Sequence, residues 1–270
     1  MPQVNTNDKI KKVSINNFIR RSPRPPPKLL GKDLTIVLPT LNEEGNIASL
    51  IFSIKSILPG ASVVVVDDSS TDNTASEINK IKKSQNILLI ERRGKRCLTD
   101  SIQDGIDHSQ TKYVAWMDAD HSHPPKVLFK LYQAAKLNQC CVIASRYKDT
   151  ANFTNTTGSF FARTFSFILN FLIYQILKLN VTDYTSGFVV LPRSFFDNFR
   201  LRGDYGEYFI HFSYYVNQAM SIHEISFKSP PRTSGESKTG GNFFSLAYRG
   251  VKYLKITVFI LINERFKKNI

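Results

Sequence analysis

The stretch that decides the fold is LTIVLPTLNEE, at residues 34–44. A short apolar run from Leu34 to Leu38 is ended by Pro39, and polar and acidic residues follow at once. A continuous apolar run of this length, without polar alternation, is typical of a parallel strand buried on both faces. Residues 34–38 are therefore predicted to form a strand whose carboxyl end carries acidic side chains.

The same pattern of strand and helix repeats along the following residues. Apolar residues recur at helical spacing between Asn46 and Leu58, and Pro59-Gly60 ends that helix. Further runs predict, in alternation, strand 62–66, helix 72–82, strand 87–90, helix 98–108 and strand 113–117. This alternation predicts an α/β fold with an open, mostly parallel sheet flanked by helices.

Acidic clusters follow three of the predicted strands. They are PTLNEE at residues 39–44, DDSSTD at 67–72 and DADHSHPP at 118–125. In open α/β sheets, ligands bind at the carboxyl ends of the strands. The sequence therefore predicts a binding site where these three clusters meet.

The third cluster has the pattern of a metal site. Asp118 and Asp120 are two apart, and side chains two apart on a strand share a face. Two adjacent carboxylates repel unless a cation joins them, and Mg²⁺ or Mn²⁺ binds through one or two carboxylates plus substrate phosphates. Asp118 and Asp120 are predicted to bind Mg²⁺ or Mn²⁺, whereas His121 and His123 are interpreted as turn residues.

Together, IVLPTLNEE (36–44), VVDDSSTD (65–72) and MDAD (117–120) resemble glycosyltransferase family 2, which implies a GT-A fold with a nucleotide-binding sheet. More narrowly, the sequence is similar to the polyprenol-phosphate and dolichol-phosphate mannosyltransferases. The motifs that carry this similarity are DADHSHPP, ASRY (144–147), VTDYTSGF (181–188) and Arg232 with GESK (235–238). The resemblance runs from about Leu34 to Gly241.

The resemblance also implies a role for individual residues. Those implied to bind the donor nucleotide-sugar are Pro39, Thr40, Glu43, Asp67, Asp68, Lys95 and Asp118. Those implied to be catalytic are Asp120, Arg146 and Arg232, and those implied to bind acceptor phosphate are Arg163, Ser237 and Lys238. The sequence departs from the family at Leu41, where an aromatic residue is usual, at Ser122, where glutamine is common, and at the basic Lys95-Arg96 pair.

The implied reaction is inverting transfer of a sugar, mannose from GDP-mannose in the first instance, to polyprenol or dolichol phosphate. A phosphate monoester carries a charge of about −1.5 to −2 at pH 7, so it attacks without a strong general base. A hydroxyl acceptor would need a carboxylate base. The alternative is a family 2 enzyme that uses a UDP-sugar and a glycan or another lipid.

The charge of the chain points to anionic partners. Its net charge is +14, and residues 1–32 hold eight lysines and arginines against one acid, Asp8. This basic, proline-rich stretch is predicted to be a disordered tail. No helix-turn-helix, zinc-finger or RRM pattern accompanies the charge, so nucleic acid is not expected to be a partner.

The cysteines and two apolar segments bear on where in the cell the protein is found. Three cysteines without zinc spacing favour a reduced, cytoplasmic compartment, and no signal peptide or spanning segment is recognised. Residues 160–179 predict a helix that is either interfacial or buried, and residues 242–270 predict an amphipathic helical segment beyond the catalytic domain of residues 33–241. Peripheral contact with the cytosolic face of a membrane is expected, directly or through a membrane-anchoring partner subunit.

Overall fold

The computed structural model describes residues 28–149, 160–230 and 243–267. Over residues 34–116, strands and helices alternate as the sequence predicts, with ends that differ by at most three residues. In chain order the elements are β1 (Leu34–Thr40), α1 (Ile47–Ile57), β2 (Ser62–Asp67), α2 (Thr74–Gln85), β3 (Ile87–Glu91), α3 (Leu98–Asp107), β4 (Tyr113–Trp116), α4 (Pro125–Asn138), β5 (Cys141–Ser145), α5 (Phe160–Leu177), β6 (Val189–Pro192), a 3₁₀ helix (Arg193–Asp197), α6 (Tyr208–Ala219), β7 (Ile222–Ser226) and α7 (Phe243–Lys267).

The strands form one seven-stranded sheet in the order β3-β2-β1-β4-β6-β5-β7. Strands β3, β2, β1 and β4 are parallel to one another, and β7 is parallel to β5. Strand β6 is antiparallel to both β4 and β5. The prediction of an open, mostly parallel α/β sheet is confirmed, and the reversed β6 is an addition to it.

Helices cover both faces of the sheet, which is why β1 and β4 are apolar without alternation. On one face, Leu34, Ile36 and Leu38 of β1 pack in a cluster with buried residues of α1 and α4. On the other face, Val37 and Trp116 belong to a cluster with buried residues of α3, α5 and α6. Burial of each aliphatic side chain contributes about 1.5–3 kcal/mol to the stability of the fold. The two clusters therefore hold the strands, and with them the strand ends, in fixed positions.

Helix α3 lies unusually close to β1 because of a glycine. A Cβ atom on Gly105 would lie 2.3 Å from Cγ1 of Val37. The absence of a side chain at this position lets the helix pack directly on the strand. The close approach brings the N-terminus of α3, at Cys97 and Leu98, beside the carboxyl ends of β1 and β2.

Helices α5 and α7 pack against each other, and each has one buried and one exposed apolar side. Leu169 and Ile173 of α5 are buried, as are Tyr253 and Ile260 of α7. We call the exposed side the α5–α7 face; its large apolar residues are Phe167, Ile168, Phe171, Leu172, Tyr174, Ile176, Tyr248, Val251, Leu254, Val258, Phe259, Leu261 and Ile262. The two alternatives for residues 160–179, interfacial or buried, therefore apply to opposite sides of one helix. In the described parts of the chain, no helix is long and apolar enough to cross a membrane.

The folded domain begins slightly before the predicted end of the tail. Residues 29–32 form a turn in which the Leu30 carbonyl accepts a hydrogen bond of 2.8 Å from the Gly60 N–H. The Leu30 side chain packs on the core, and Gly31 lies against Leu58 and Ala61. The last residues of the predicted tail are thus part of the domain, and residues 1–27 lie outside the described ranges.

Candidate active site

Two cavities adjoin at the carboxyl ends of the parallel strands. The first, the strand-end cavity, has a volume of about 230 Å³ and lies over β1, β2 and the N-terminus of α3. The second, the helix-side cavity, has a volume of about 220 Å³ and lies between that edge and helices α5, α6 and α7. Leu98, Asp118 and Tyr205 line both cavities, so Asp118 stands at their junction.

The strand-end cavity gathers most of the residues implied to bind a donor. Among the described residues, its lining is rich in carboxylates and holds one cation, Arg96. The residues are Pro39, Thr40, Leu41, Glu43, Asp68, Arg96, Cys97, Leu98, Ser101, Asp118, Ala119, Asp120, Asp204 and Tyr205. Of the basic pair Lys95-Arg96, Arg96 lines this cavity and Lys95 does not.

Asp118 and Asp120 reach the cavity from a turn. Strand β4 ends at Trp116, so the prediction that both aspartates continue a strand face was wrong in its geometry. The Asp118 side chain is about half exposed, at 49%. Asp120 is buried, and its Oδ1 accepts a 3.0 Å hydrogen bond from the Ser122 N–H. Both carboxylates nevertheless line the same cavity.

His123 holds Asp118 in place, a role that the sequence did not indicate. Its Nδ1 accepts the backbone N–H of Asp118 at 3.0 Å, and its Nε2 lies 3.9 Å from the Asp118 carboxylate. The ring is buried and stacks on Phe188 with centroids 4.6 Å apart. Because Nδ1 accepts an N–H it carries no proton, so the ring is neutral with its proton on Nε2, and burial correspondingly lowers the pKa of His123. The other histidine of the motif, His121, contacts the Ser49 hydroxyl at 2.8 Å.

Asp67 and Asp68 have different positions despite their adjacency. The Asp67 carboxylate accepts hydrogen bonds from the Thr40 hydroxyl at 3.0 Å and from the Ser70 hydroxyl and N–H. It is not among the described residues that line either cavity, and its implied contact with the donor stays a prediction. The Asp67 hydrogen bonds join the ends of β1 and β2, and Asp68 lines the strand-end cavity.

Asp68 is held by Arg92, which the sequence analysis did not single out. Nη1 of Arg92 lies 2.5 Å from Asp68 Oδ1, and its Nε donates to Asp104 at 2.9 Å. The other oxygen of Asp68 accepts the Cys97 N–H at 2.7 Å. This network links the end of β2 to the N-terminus of α3 and shapes one wall of the strand-end cavity.

The helix-side cavity contains Arg146 on its wall. Nε and Nη2 of Arg146 donate to the two oxygens of Asp183, each at 2.8 Å, and Nη2 also donates to the Thr185 hydroxyl at 2.8 Å. Asp183 is fully buried; burial opposes its ionisation, but the Arg146 guanidinium outweighs it and lowers the pKa of Asp183. Within the described residues, Nη1 of Arg146 has no acceptor in hydrogen-bond distance.

Comparison with known proteins identifies the family. The profile of glycosyl transferase family 2 matches residues 35–200, more than half of the chain. The chain belongs to glycosyl transferase family 2. The prediction of the family is confirmed, and with it the prediction that the chain is a glycosyltransferase.

Solved structures share the fold of this family 2 enzyme. Glucosyl-3-phosphoglycerate synthase from Mycobacterium tuberculosis, solved with Mn²⁺, UDP and glucosyl-3-phosphoglycerate, superposes with a TM-score of 0.60 at 15% identity. The match covers 84% of this chain and 80% of that chain. The predicted GT-A fold is therefore confirmed.

Curated relatives of the family 2 enzyme carry names that combine a polyprenol phosphate with a sugar. A dolichol-phosphate mannosyltransferase of Pyrococcus furiosus is 32% identical over 42% of this chain and 33% of its own length. A dodecaprenyl-phosphate galacturonate synthase of Rhizobium johnstonii is 23% identical over 77% of this chain and 62% of its own length. A dolichol-phosphate mannosyltransferase of Saccharomyces cerevisiae is 22% identical over 84% of this chain and 88% of its own length. The chain thus spans 33% of the length of the first relative and 62% of the length of the second.

The donor atoms of the strand-end cavity suit a hard divalent cation. Asp118 and Asp120 offer carboxylate oxygens, and the neutral His123 has its Nδ1 engaged with the backbone. Among the described residues, no group of three or more His, Cys, Asp or Glu side chains could hold a metal. Mg²⁺ and Mn²⁺ fit such a partial protein site, because they commonly take their remaining ligands from phosphates and water.

Four side chains that the resemblance implies to be catalytic or to bind phosphate lie outside the described part of the chain. Arg232, Ser237 and Lys238 lie outside the described residues. Arg163 belongs to α5, but its side chain is also outside the described part of the chain. Their roles remain predictions from the resemblance.

Proposed function

We propose that this family 2 enzyme transfers a sugar, mannose in the first instance, from a nucleotide-sugar to the phosphate of a polyprenol or dolichol, with inversion at the anomeric carbon. The observation that carries the proposal is the position of Arg146. Its guanidinium lies on the wall of a mainly apolar cavity that meets the carboxylate-rich cavity at Asp118. A donor cavity and an anion-binding acceptor cavity would then share one edge, where transfer occurs.

The donor would lie in the strand-end cavity. Pro39, Thr40, Glu43 and Asp68 would surround its nucleoside, and Asp118 and Asp120 would hold Mg²⁺ or Mn²⁺ against its diphosphate. The cation would supply charge stabilisation to the departing nucleoside diphosphate. His123 and Ser122 fix the two aspartates through backbone hydrogen bonds, so the carboxylates are held ready for the cation.

The acceptor phosphate would lie in the helix-side cavity beside Arg146. Nη1 donates to a phosphate oxygen, while Nε and Nη2 stay on Asp183. The phosphate oxygen attacks the anomeric carbon in line, and the bond from that carbon to the diphosphate breaks. Since the phosphate is already anionic, no residue has to remove a proton.

The walls of the helix-side cavity suit the first part of a prenyl chain. Phe165 and Leu169 of α5, Phe209 of α6 and Tyr253 of α7 line it. Two of these helices carry the exposed α5–α7 face on their other side. A lipid acceptor would therefore be drawn from a bilayer next to the helices that enclose its phosphate.

The α5–α7 face would dock on the cytosolic surface of a membrane with anionic headgroups. Its apolar side chains would enter the headgroup boundary, as in other interfacial helices. Lys255 is exposed beside Leu254 on α7, and the exposed Lys178 directly follows α5. Each basic residue near such a surface adds about 1 kcal/mol of attraction. Binding to a membrane-anchoring partner subunit instead would appear as failure to bind protein-free vesicles.

A second candidate donor is a UDP-sugar. The M. tuberculosis neighbour is solved with UDP, although at 15% identity the likeness concerns the fold. Leu41, which lines the strand-end cavity, offers an apolar contact to either base. A UDP-sugar with a glycan or another lipid as acceptor is therefore the alternative to test.

The test is a panel of GDP- and UDP-sugars with Mg²⁺ or Mn²⁺ and a short polyprenol phosphate, with labelled sugar counted in the lipid phase. One donor that labels the lipid only in the presence of metal would support the proposal. Metal-dependent hydrolysis of a donor without lipid labelling would agree with a glycosyltransferase but would reject polyprenol phosphate as its acceptor. An Asp118→Asn variant is the control for adventitious hydrolysis.

A further inference from the structure

Glu224 is a carboxylate outside both cavities that is connected to Arg146 through one loop. It lies on the edge strand β7, opposite Ile143 of β5. Its Oε1 accepts the backbone N–H groups of Thr182 at 2.9 Å and Asp183 at 3.3 Å. Its Oε2 accepts the Thr182 hydroxyl at 2.8 Å. A single side chain thus fixes two successive peptide units of the loop before β6.

The direction of the hydrogen bonds shows that Glu224 acts as an acceptor at both oxygens. The Ser145 hydroxyl accepts the N–H groups of Tyr147 at 3.2 Å and Lys148 at 3.0 Å, so its own proton is directed to the Thr182 hydroxyl, 2.7 Å away. The Thr182 hydroxyl then donates to Glu224. This chain of hydrogen bonds joins β5, the loop and β7 at the segment that carries Arg146.

The loop positions the partner of Arg146. Asp183 follows Thr182 directly, and besides the Arg146 side chain it accepts the Arg146 N–H at 3.1 Å and the Thr185 hydroxyl at 3.1 Å. A shift of Thr182 and Asp183 would turn the guanidinium, because two of its three nitrogens are held by Asp183. The orientation of the Arg146 guanidinium at the wall of the helix-side cavity therefore depends on the loop.

We propose that Glu224 is a positioning residue for the acceptor phosphate: it fixes residues 182 and 183, and through them the guanidinium of Arg146, without touching a ligand. The part that concerns the acceptor rests on the proposed function; the effect on Arg146 does not. Glu224→Gln keeps an oxygen for the two N–H groups and replaces one acceptor, whereas Glu224→Ala removes all three hydrogen bonds. The alanine variant is therefore expected to have the larger effect.

The first measurement is kinetic, with polyprenol phosphate as acceptor. Glu224→Ala should raise the KM for the acceptor by about tenfold, with the KM for the donor changed less than about twofold, and Glu224→Gln should lie between. The matched control is Asp33→Asn, because Asp33 also accepts hydrogen bonds from two side chains, Tyr132 and Lys136, but lies at the amino end of the central strand β1, away from Glu224 and both cavities. It should leave both KM values unchanged.

The second measurement needs no acceptor. The Nε–H signal of Arg146 in nuclear magnetic resonance spectra, assigned by its loss in Arg146→Lys, should exchange slowly with water in the wild type, because it is bonded to Asp183. In Glu224→Ala the exchange should accelerate by about tenfold or more. Thermal melting identifies which variants fold, and Glu224→Gln replaces the alanine variant if that one does not.

The two measurements separate the two proposals. Unchanged Arg146 exchange in a folded Glu224 variant would overturn the positioning role, even if the wild type labels polyprenol phosphate. Faster exchange, without any transfer to polyprenol phosphate by the wild type, would support the positioning role and reject the proposed acceptor.

Discussion

Arg146 and Asp183 form a two-pronged ion pair in which Nε and Nη2 each lie 2.8 Å from a carboxylate oxygen. Asp183 is fully buried, while Arg146 lies on the wall of the helix-side cavity. The pair therefore fixes a charged donor at the cavity, and among the described residues Nη1 has no acceptor, so we expect it to meet a ligand. This relationship connects the fold to the proposed chemistry, since an anionic acceptor needs a fixed cation more than it needs a base.

The ion pair predicts how stability depends on pH. The pKa of Asp183 is lowered in the folded protein, so the stability it contributes is present above its unfolded pKa, near 3.8, and is lost as the pH falls through the lower folded value. Asp183→Asn should lose this contribution at pH 7, because it leaves the partly buried Arg146 without its charge partner. Urea unfolding at pH 3 to 7 measures it, and equal free energies of unfolding for wild type and variant at pH 7 would contradict the prediction.

The two aspartates after β4 should be required for transfer but not for folding. Asp118→Asn and Asp120→Asn are each expected to lower kcat by about 100-fold or more with Mg²⁺ or Mn²⁺. Their melting temperatures should stay close to that of the wild type, because Asp118 is half exposed and asparagine retains an oxygen at both positions. Near-normal transfer by both variants would refute the metal assignment.

His123 should support activity through Asp118. His123→Ala removes the acceptor of the Asp118 N–H and the ring that stacks on Phe188, so it should cost about 1–3 kcal/mol in free energy of unfolding and lower kcat. His123→Asn should recover more activity than stability, since its amide oxygen can take the place of Nδ1. His108→Ala is the control, because His108 is exposed on a helix end. If His123→Ala transferred sugar at the normal rate, His123 would be only a core residue.

The α5–α7 face should govern binding to vesicles. Phe171→Asp and Val258→Asp are expected to reduce co-sedimentation with vesicles that contain anionic lipid, because each places a charge in the apolar surface. Leu137→Asp is a matched control, since Leu137 is 72% exposed on α4, away from this face. Equal binding by all three variants would contradict membrane docking through α5 and α7.

Sequence reasoning predicted the parallel half of the sheet because its signals are local. The apolar runs of β1, β2 and β4 and the helical spacing of α1 depend on burial by adjacent layers, which leaves a pattern in a single segment. The acidic strand ends could be placed together for the same reason, as parallel strands align their carboxyl ends. Asp118 and Asp120 were identified in this way, although their turn geometry was not.

The remaining features depend on partners far apart in the chain. Nothing in the run Val189–Pro192 indicates that β6 is antiparallel, since direction is set by pairing with β4 and β5. Asp183 meets Arg146 across 37 residues, and Glu224 meets Thr182 across 42. The adjacent Asp67 and Asp68 have different hydrogen-bond partners because successive side chains at a strand end point in different directions. Contacts of this kind between distant residues can be read only from the folded structure.

The measurement that tests the central claim most directly compares two acceptors that differ only in the phosphate. The wild-type protein, its best donor and its preferred metal are given a short polyprenol phosphate or the matching polyprenol alcohol, and sugar in the lipid phase is counted. The account predicts labelling of the phosphate alone, with Arg146→Lys raising the acceptor KM because lysine lacks the fork that binds Asp183 and a phosphate together. Labelling of the alcohol, or of a glycan hydroxyl in preference to the phosphate, would contradict it.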